Sequence, residues 1–155
     1  MRPCLPVLVL LLVAFRPAGQ PTAASSVDRA ALTRHLSDQL DRAAGDWNRG
    51  DLAAFMSDYA AESTTTYVDG RRSRHGFDFI RNNYAPRFAP GARRDSLHFE
   101  EVEVRPLSPT LALVTARFIL QRGDSITASG PFTLVMERRS EGWKILHDHS
   151  SSDPR

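Results

Sequence analysis

Near the end of the chain, residues 142–150 read Gly-Trp-Lys-Ile-Leu-His-Asp-His-Ser. Three consecutive titratable side chains, His147, Asp148 and His149, make this the first place to look for chemistry. The run is strand-like, so both imidazoles face one side and Asp148 faces the other. His147 and His149 are therefore the catalytic candidates, because imidazole titrates near neutral pH and serves as general acid or base. Asp148 cannot reach either ring across its own strand, so a carboxylate that orients them has to come from elsewhere. Two imidazoles side by side also suit a metal ion, but a third ligand is needed. His98 and Glu100 are the only guesses for it, and no metal is assigned. The third possibility is structural: the histidines bond across the sheet or line a face between subunits. Strict alternation groups Asp148 with Leu146 and Ser150, away from Trp143 and Ile145, and makes Asp148 the other pocket candidate. Which face is concave stays open. A basic run, Arg71, Arg72 and Arg74, could gather an anionic ligand or serve as a solvated hairpin edge that discourages strand pairing.

The elements that must position these residues divide into a helical half and a strand half. Leu32, Leu36, Leu40, Ala43 and Trp47 recur at helical spacing and predict a helix from about Val27 to Trp47. Ser26 or Ser25 is the expected N-cap, with Asp28 in the first turn. Gly50 ends it and Asp51 caps a second helix carrying Leu52, Phe55, Met56 and Tyr59. A third helix begins after Gly76, with Phe77, Ile80, Tyr84 and Phe88 on one side, and Pro86 and Pro90 close it. Between the second and third helices, Thr64 to Val68 and the turn Asp69-Gly70 predict a short hairpin. Four strands follow, at about Ser96–Leu107, Thr110–Gln121, Ser125–Arg138 and Trp143–Ser151. In the first of them Leu97 and Phe99 share one phase and Val102 and Val104 the other, which predicts a β-bulge near Glu100-Glu101. Helices first and long hairpins after give an α+β domain with helices on one face of a curved antiparallel sheet.

The 155 residues suit one domain, and 41% apolar with 25% charged residues is ordinary for a globular chain. Arg2, an apolar run from Leu5 to Phe15 and the small residues Thr22 to Ser26 read as a secretory signal peptide over residues 1–24, leaving 25–155 as the single domain. The run is too short for a membrane span, which needs about 20 residues. Cys4, the only cysteine, would leave with the signal. So would Arg2 and Arg16, taking the 20 basic residues to 18 against 18 acidic ones. A neutral mature domain offers no electrostatic footing for nucleic acid or an anionic membrane. The expected location is periplasmic or secreted, with no stable membrane association after cleavage.

Trp47-Asn48-x-Gly50-Asp51-Leu52, then Phe55 and Tyr59, a Thr-rich strand, Gly70 and Gly76 together resemble the front half of SnoaL-like proteins. The ending from Gly142 to Ser150 is similar to the last strand of the DUF4440 branch. It also resembles the association domain of calcium/calmodulin-dependent kinases, which shares the Trp…His-x-His-x-Ser cadence. The resemblance spans roughly Val27 to Ser151. It implies the nuclear-transport-factor-2-like (NTF2-like) cone, in which a strongly curved sheet wraps around helices and leaves a cavity at the wide end. Many such proteins are dimers through the sheet, so a homodimer is expected. Their chemistry ranges from steroid isomerases and dehydratases to pure binders and assembly modules.

Ketosteroid isomerases on this fold use a carboxylate base with a Tyr and a protonated Asp. Alignment on Gly50-Asp51, Tyr59-Ala60 and His75-Gly76 puts Tyr67 where they carry the base and Ala43 where they carry the Tyr. Residues 126–136 hold no acid, so that apparatus is absent. In the implied cavity, Trp47, Tyr59 and Tyr67 are placed to line the wall, alongside Asp148 as the ligand-binding candidate. Core packing is the alternative for Trp47. The reading is an exported domain that binds a small, partly apolar organic molecule, with no cofactor. The alternatives are a lyase, isomerase or hydrolase using a pocket His with Tyr, and a non-enzymatic assembly module.

Overall fold

Residues 28–69 and 72–154 are described by a computed structural model. The signal-peptide segment, Ser25 and Ser26, Gly70 of the expected turn, and Arg71 lie outside these residues. Among those described, no helix is long and apolar enough to cross a membrane.

Helix α1 spans Arg29–Arg49 and buries Leu32, Leu36, Leu40, Ala43 and Trp47, the stripe read from the sequence. Its cap is Asp28, not a serine. The Asp28 carboxylate accepts the Ala31 amide at 3.1 Å, and its negative charge also suits the positive end of the helix. At the other end Gly50 adopts φ 79°, a left-handed conformation natural to glycine. Asp51 caps α2 (Leu52–Met56) through the Ala54 amide at 2.9 Å. Helix α3 covers Phe77–Phe88 and ends between Pro86 and Pro90 as expected, with Pro86 inside its last turn. A proline this close to a C-terminus removes a single amide and leaves little helix after it to disturb.

Strands β1 (Thr66–Val68) and β2 (Ser73–His75) form the short hairpin, and β3 (Ser96–Pro106), β4 (Leu111–Arg122), β5 (Ser125–Arg139) and β6 (Gly142–Ser150) form the long meander. The sheet order is β2-β1-β6-β5-β4-β3. All pairings are antiparallel except β1 with β6, which is parallel, with Thr66 opposite His147 and Val68 opposite His149. That parallel pair joins chain segments far apart in sequence, and strand alternation gives no hint of it.

Two bulges bend the strands. The β3–β4 register shifts between Glu100 and Glu103, and Glu101 takes φ 54°, at the place the phase slip indicates. The other lies in β6. Val135 pairs with His147 and Met136 with Ile145, so Leu146 is an extra residue opposite no partner. It reverses the alternation. Trp143, Ile145 and Asp148 are all buried on the concave face, which corrects the strict grouping of Asp148 with Leu146. The core fills the space between that face and the helices, from Leu36 and Met56 to Val114, Leu134 and Met136.

Candidate functional site

A mostly apolar cavity of about 340 Å³ opens between the helices and the concave sheet. Leu40, Trp47, Phe55, Phe132, Leu134 and Met136 are among its walls, and the exposed Arg87 and Ser152 mark the side open to solvent. Packing supplies the shape. Trp47 meets Phe55 and Phe88 edge to face at 5.6 and 5.2 Å between centroids. Its indole nitrogen donates to the Asp95 carbonyl at 2.9 Å. Trp47 is thus both core and cavity wall, and the two readings of it coincide.

One polar cluster inside is built around β6. Asp148 is 4% exposed and lines the cavity. The Tyr59 hydroxyl donates to its Oδ2 at 2.6 Å and the Ser150 hydroxyl to its Oδ1 at 2.9 Å. Tyr59 is delivered by backbone geometry, because it lies past the end of α2 in a one-residue parallel bridge to Ile145. The Ile145 amide donates to the Asp58 carbonyl and the Ala60 amide to the Ile145 carbonyl, at 2.7 and 2.9 Å. Tyr59 is therefore pinned to the strand that carries Asp148. Tyr84 of α3 and Tyr67 of β1 extend the phenol cluster, with centroids 6.4 Å (Tyr59–Tyr84) and 5.8 Å (Tyr67–Tyr84) apart.

Burial raises the Asp148 carboxyl above the ordinary carboxylate range, against the opposing hydrogen bonds from Tyr59 and Ser150. Burial, and then the Asp148 charge, also raises the phenols of Tyr59, Tyr84 and Tyr67, so they stay protonated. A carboxyl held in apolar surroundings among neutral phenol donors can take or give a proton at a carbon or oxygen centre. The phenols can then stabilise the negative oxygen that forms.

Trp47, Tyr59, Tyr67 and Asp148 all line the cavity. His147 and His149 do not. Their rings lie 6.5 Å apart on the opposite face, His149 exposed and His147 half-buried with Nδ1 2.6 Å from the Thr66 hydroxyl. The third-ligand guesses, His98 and Glu100, contact each other at 3.2 Å on β3. Two strands, β5 and β4, separate them from the histidine pair, which is about 14 Å at normal strand spacing. Arg72 is exposed, and Arg74 pairs with Asp69 at 3.3 Å and stacks on Phe79 at 5.1 Å.

Tyr84, Ser150, Asp58 and Gln39 also line the cavity without having been singled out as site residues. Tyr84 sits on the apolar side read for α3, and Ser150 is two places from Asp148, so both had a positional signal. Asp58 and Gln39 had none.

A model of the SnoaL-like domain matches residues 23–154. No curated protein matches the sequence. Among solved structures, the chain is similar to an NTF-2-like protein of unknown function from Shewanella oneidensis. That protein is 28% identical with a TM-score of 0.66, over 79% of this chain and 98% of that one. It is also similar to a candidate scytalone dehydratase from Novosphingobium aromaticivorans (11% identity, TM-score 0.68, 81% and 86% covered). A candidate calcium/calmodulin-dependent protein kinase II association domain from Xanthomonas campestris aligns at 18% identity and TM-score 0.61, with 79% and 88% covered. At these identities the last two likenesses speak for the fold alone.

Proposed function

The chain belongs to the SnoaL-like domain family, and we propose that its cone binds a small, partly apolar organic molecule whose reactive end meets Asp148. The observation that carries this reading is a nearly buried carboxylate in a mostly apolar cavity, bonded by Tyr59 and Ser150. Cavities of this size that are apolar apart from a few convergent polar groups suit small organic ligands. A carboxyl with a raised proton affinity there suits proton transfer of the lyase or isomerase kind. No histidine lines the cavity among the described residues, so the acid–base role passes from His147 and His149 to Asp148.

2-Tetralone, a bicyclic ketone with acidic C1 hydrogens, tests the proton-transfer part. In D₂O the protein should exchange those hydrogens faster than buffer does. Asp148→Asn should lose about 10²–10⁴-fold of that rate while still binding the ketone. Exchange no faster than buffer, or equal exchange by the variant, contradicts the assignment.

A homodimer through the convex face is a second part of the proposal. Half-buried Leu111, Leu113, Val135 and His147 all occupy that face and suit a partner. Export to the periplasm or medium is the third, resting on the pattern of residues 1–24. An N-terminus near Ser25 on protein recovered from the periplasm is the expected result, and an intact Met1 contradicts it.

A further inference from the structure

Asp58, Asp69, Asp148 and Arg87 are the charged side chains on the cavity wall. Each of the acids accepts from a side chain of this chain. Asp69 pairs with Arg74 at 3.3 Å, Asp58 accepts from Gln39 and Arg42 at 2.9 and 2.7 Å, and Asp148 accepts from Tyr59 and Ser150. Arg87 differs. Among the described residues no side chain accepts from it, and its guanidinium reaches only the Asn83 carbonyl, at a long 3.3 Å. A guanidinium carries five N–H donors in a planar fork, so most of them are left for a partner from outside.

The guanidinium stands at the opening. Arg87 lies in the last turn of α3 and is exposed, so solutes reach it. Its Cζ is 5.9 Å from the centre of the Tyr84 ring, which is cavity wall. Tyr67, also on the wall, feels the same charge: burial raises that phenol, and Arg87 opposes the rise. Arg94 donates to the Arg87 carbonyl at 3.1 Å and adds a second positive charge beside this end of α3. The helix dipole favours a cation anywhere on the last turn. That accounts for the charge, but not for its place over the aromatic wall of the cavity.

We propose that Arg87 anchors a carboxylate at the mouth, so that the cavity takes an organic acid with its apolar frame inside and its anionic group at the outer end. This rests on the reading that the cavity binds a small organic molecule, and it adds the class and direction of that molecule. A carboxylate matches the guanidinium fork with two parallel hydrogen bonds. At the rim it keeps part of its hydration, which spares most of the cost of burying a charge. Turned inward it would meet Asp148 and Asp58, where like charges repel. Asp69 is offset by Arg74. The acid group therefore points out, and the other end reaches Asp148.

2-Naphthoate and 2-naphthamide isolate the contact, because they are nearly equal in shape and only the first is charged near neutral pH. Calorimetric titration of the full mature chain at low salt should show 2-naphthoate binding at least about fivefold tighter, the advantage of a charge-assisted over a neutral hydrogen bond. Arg87→Gln should abolish that preference while leaving the affinity for 2-naphthamide within about twofold, which also shows that the variant is folded. Arg105→Gln removes the same charge from an exposed position on β3 outside the cavity lining, and should keep the preference. Binding of 2-naphthoate no tighter than 2-naphthamide by the unaltered protein overturns the inference and leaves the cavity reading standing. So does a preference that survives in Arg87→Gln, or one that Arg105→Gln loses equally. Failure of both probes to bind the unaltered protein overturns both. If Arg87→Gln binds neither probe, a crystal structure of the unaltered protein with 2-naphthoate decides. Its carboxylate within hydrogen-bond distance of the Arg87 guanidinium supports the inference, and a carboxylate placed elsewhere overturns it.

Discussion

Asp148 stands where its charged form is disfavoured by burial and partly restored by the Tyr59 and Ser150 hydroxyls. That balance has a consequence for stability. A carboxyl whose folded proton affinity exceeds its unfolded one binds more protons in the folded state. Its contribution is then fully present below the ordinary value of 3.8 and is lost as pH rises through the raised folded value. Asn carries no such penalty. The melting temperature of Asp148→Asn relative to the unaltered protein should therefore move upward between about pH 3 and pH 7. Thermal melts at a series of pH values check this, and a difference independent of pH contradicts it. Asp58 is raised by burial as well, so the comparison has to be the difference between two proteins and not one protein's curve. Of these two acids only Asp148 could be singled out from sequence, as a titratable residue inside a recognisable strand. Asp58 is a lone acid just past a short helix, where an aspartate ordinarily faces water, and the buried Gln39 that bonds it lies 19 positions away.

At the scale of elements, the spacing of apolar residues was informative wherever one period held throughout, as on α1. The β3 bulge was visible too, because Leu97 and Phe99 against Val102 and Val104 show the phase reversing. The β6 bulge was not visible. Leu146 is apolar like Ile145 before it, and a run of two apolar residues does not say which one is extra. Yet that single residue decides which side Asp148 faces, since a slip of one position turns every later side chain over. A second close fit lies where the chain leaves β6. The Ser151 and Asp153 amides donate to the Pro131 and Ser129 carbonyls, and Arg117 and Ser129 hold the Asp153 carboxylate. Gly130 makes room for this, because a Cβ there would lie 1.9 Å from the Ser151 carbonyl oxygen. Backbone cannot swing aside as a flexible side chain can. Gly130→Ala should cost about 1–3 kcal/mol and speed hydrogen exchange at the Ser151 and Asp153 amides. Unchanged exchange at both would show that the tail does not depend on that glycine.

For the whole molecule, the order of helices, hairpin and long strands gave the α+β class, because each piece was marked by its own period and turns. The motifs from Trp47 to Gly76 and from Gly142 to Ser150 carried the resemblance to the family and to its cone. The inside and outside of the sheet were not marked in this way, since they depend on the parallel β1–β6 pairing and on Leu146. The outer face carries its own expectation. If it joins two copies, His147→Ala and His149→Ala together should shift sedimentation toward monomer while cavity binding stays as it was. A dimer that persists unchanged contradicts that arrangement. The central claim concerns the inside, and it can be met directly with 2-methoxynaphthalene. Ala128 is half-buried and lines the cavity, so Ala128→Trp should fill the space without disturbing the core beneath it. Calorimetric titration should show saturable binding by the unaltered protein and at least about tenfold weaker binding by a folded Ala128→Trp, the loss expected when an apolar ring is denied its pocket. No binding by the unaltered protein, or equal binding by both, would contradict the assignment of this cavity as the ligand site.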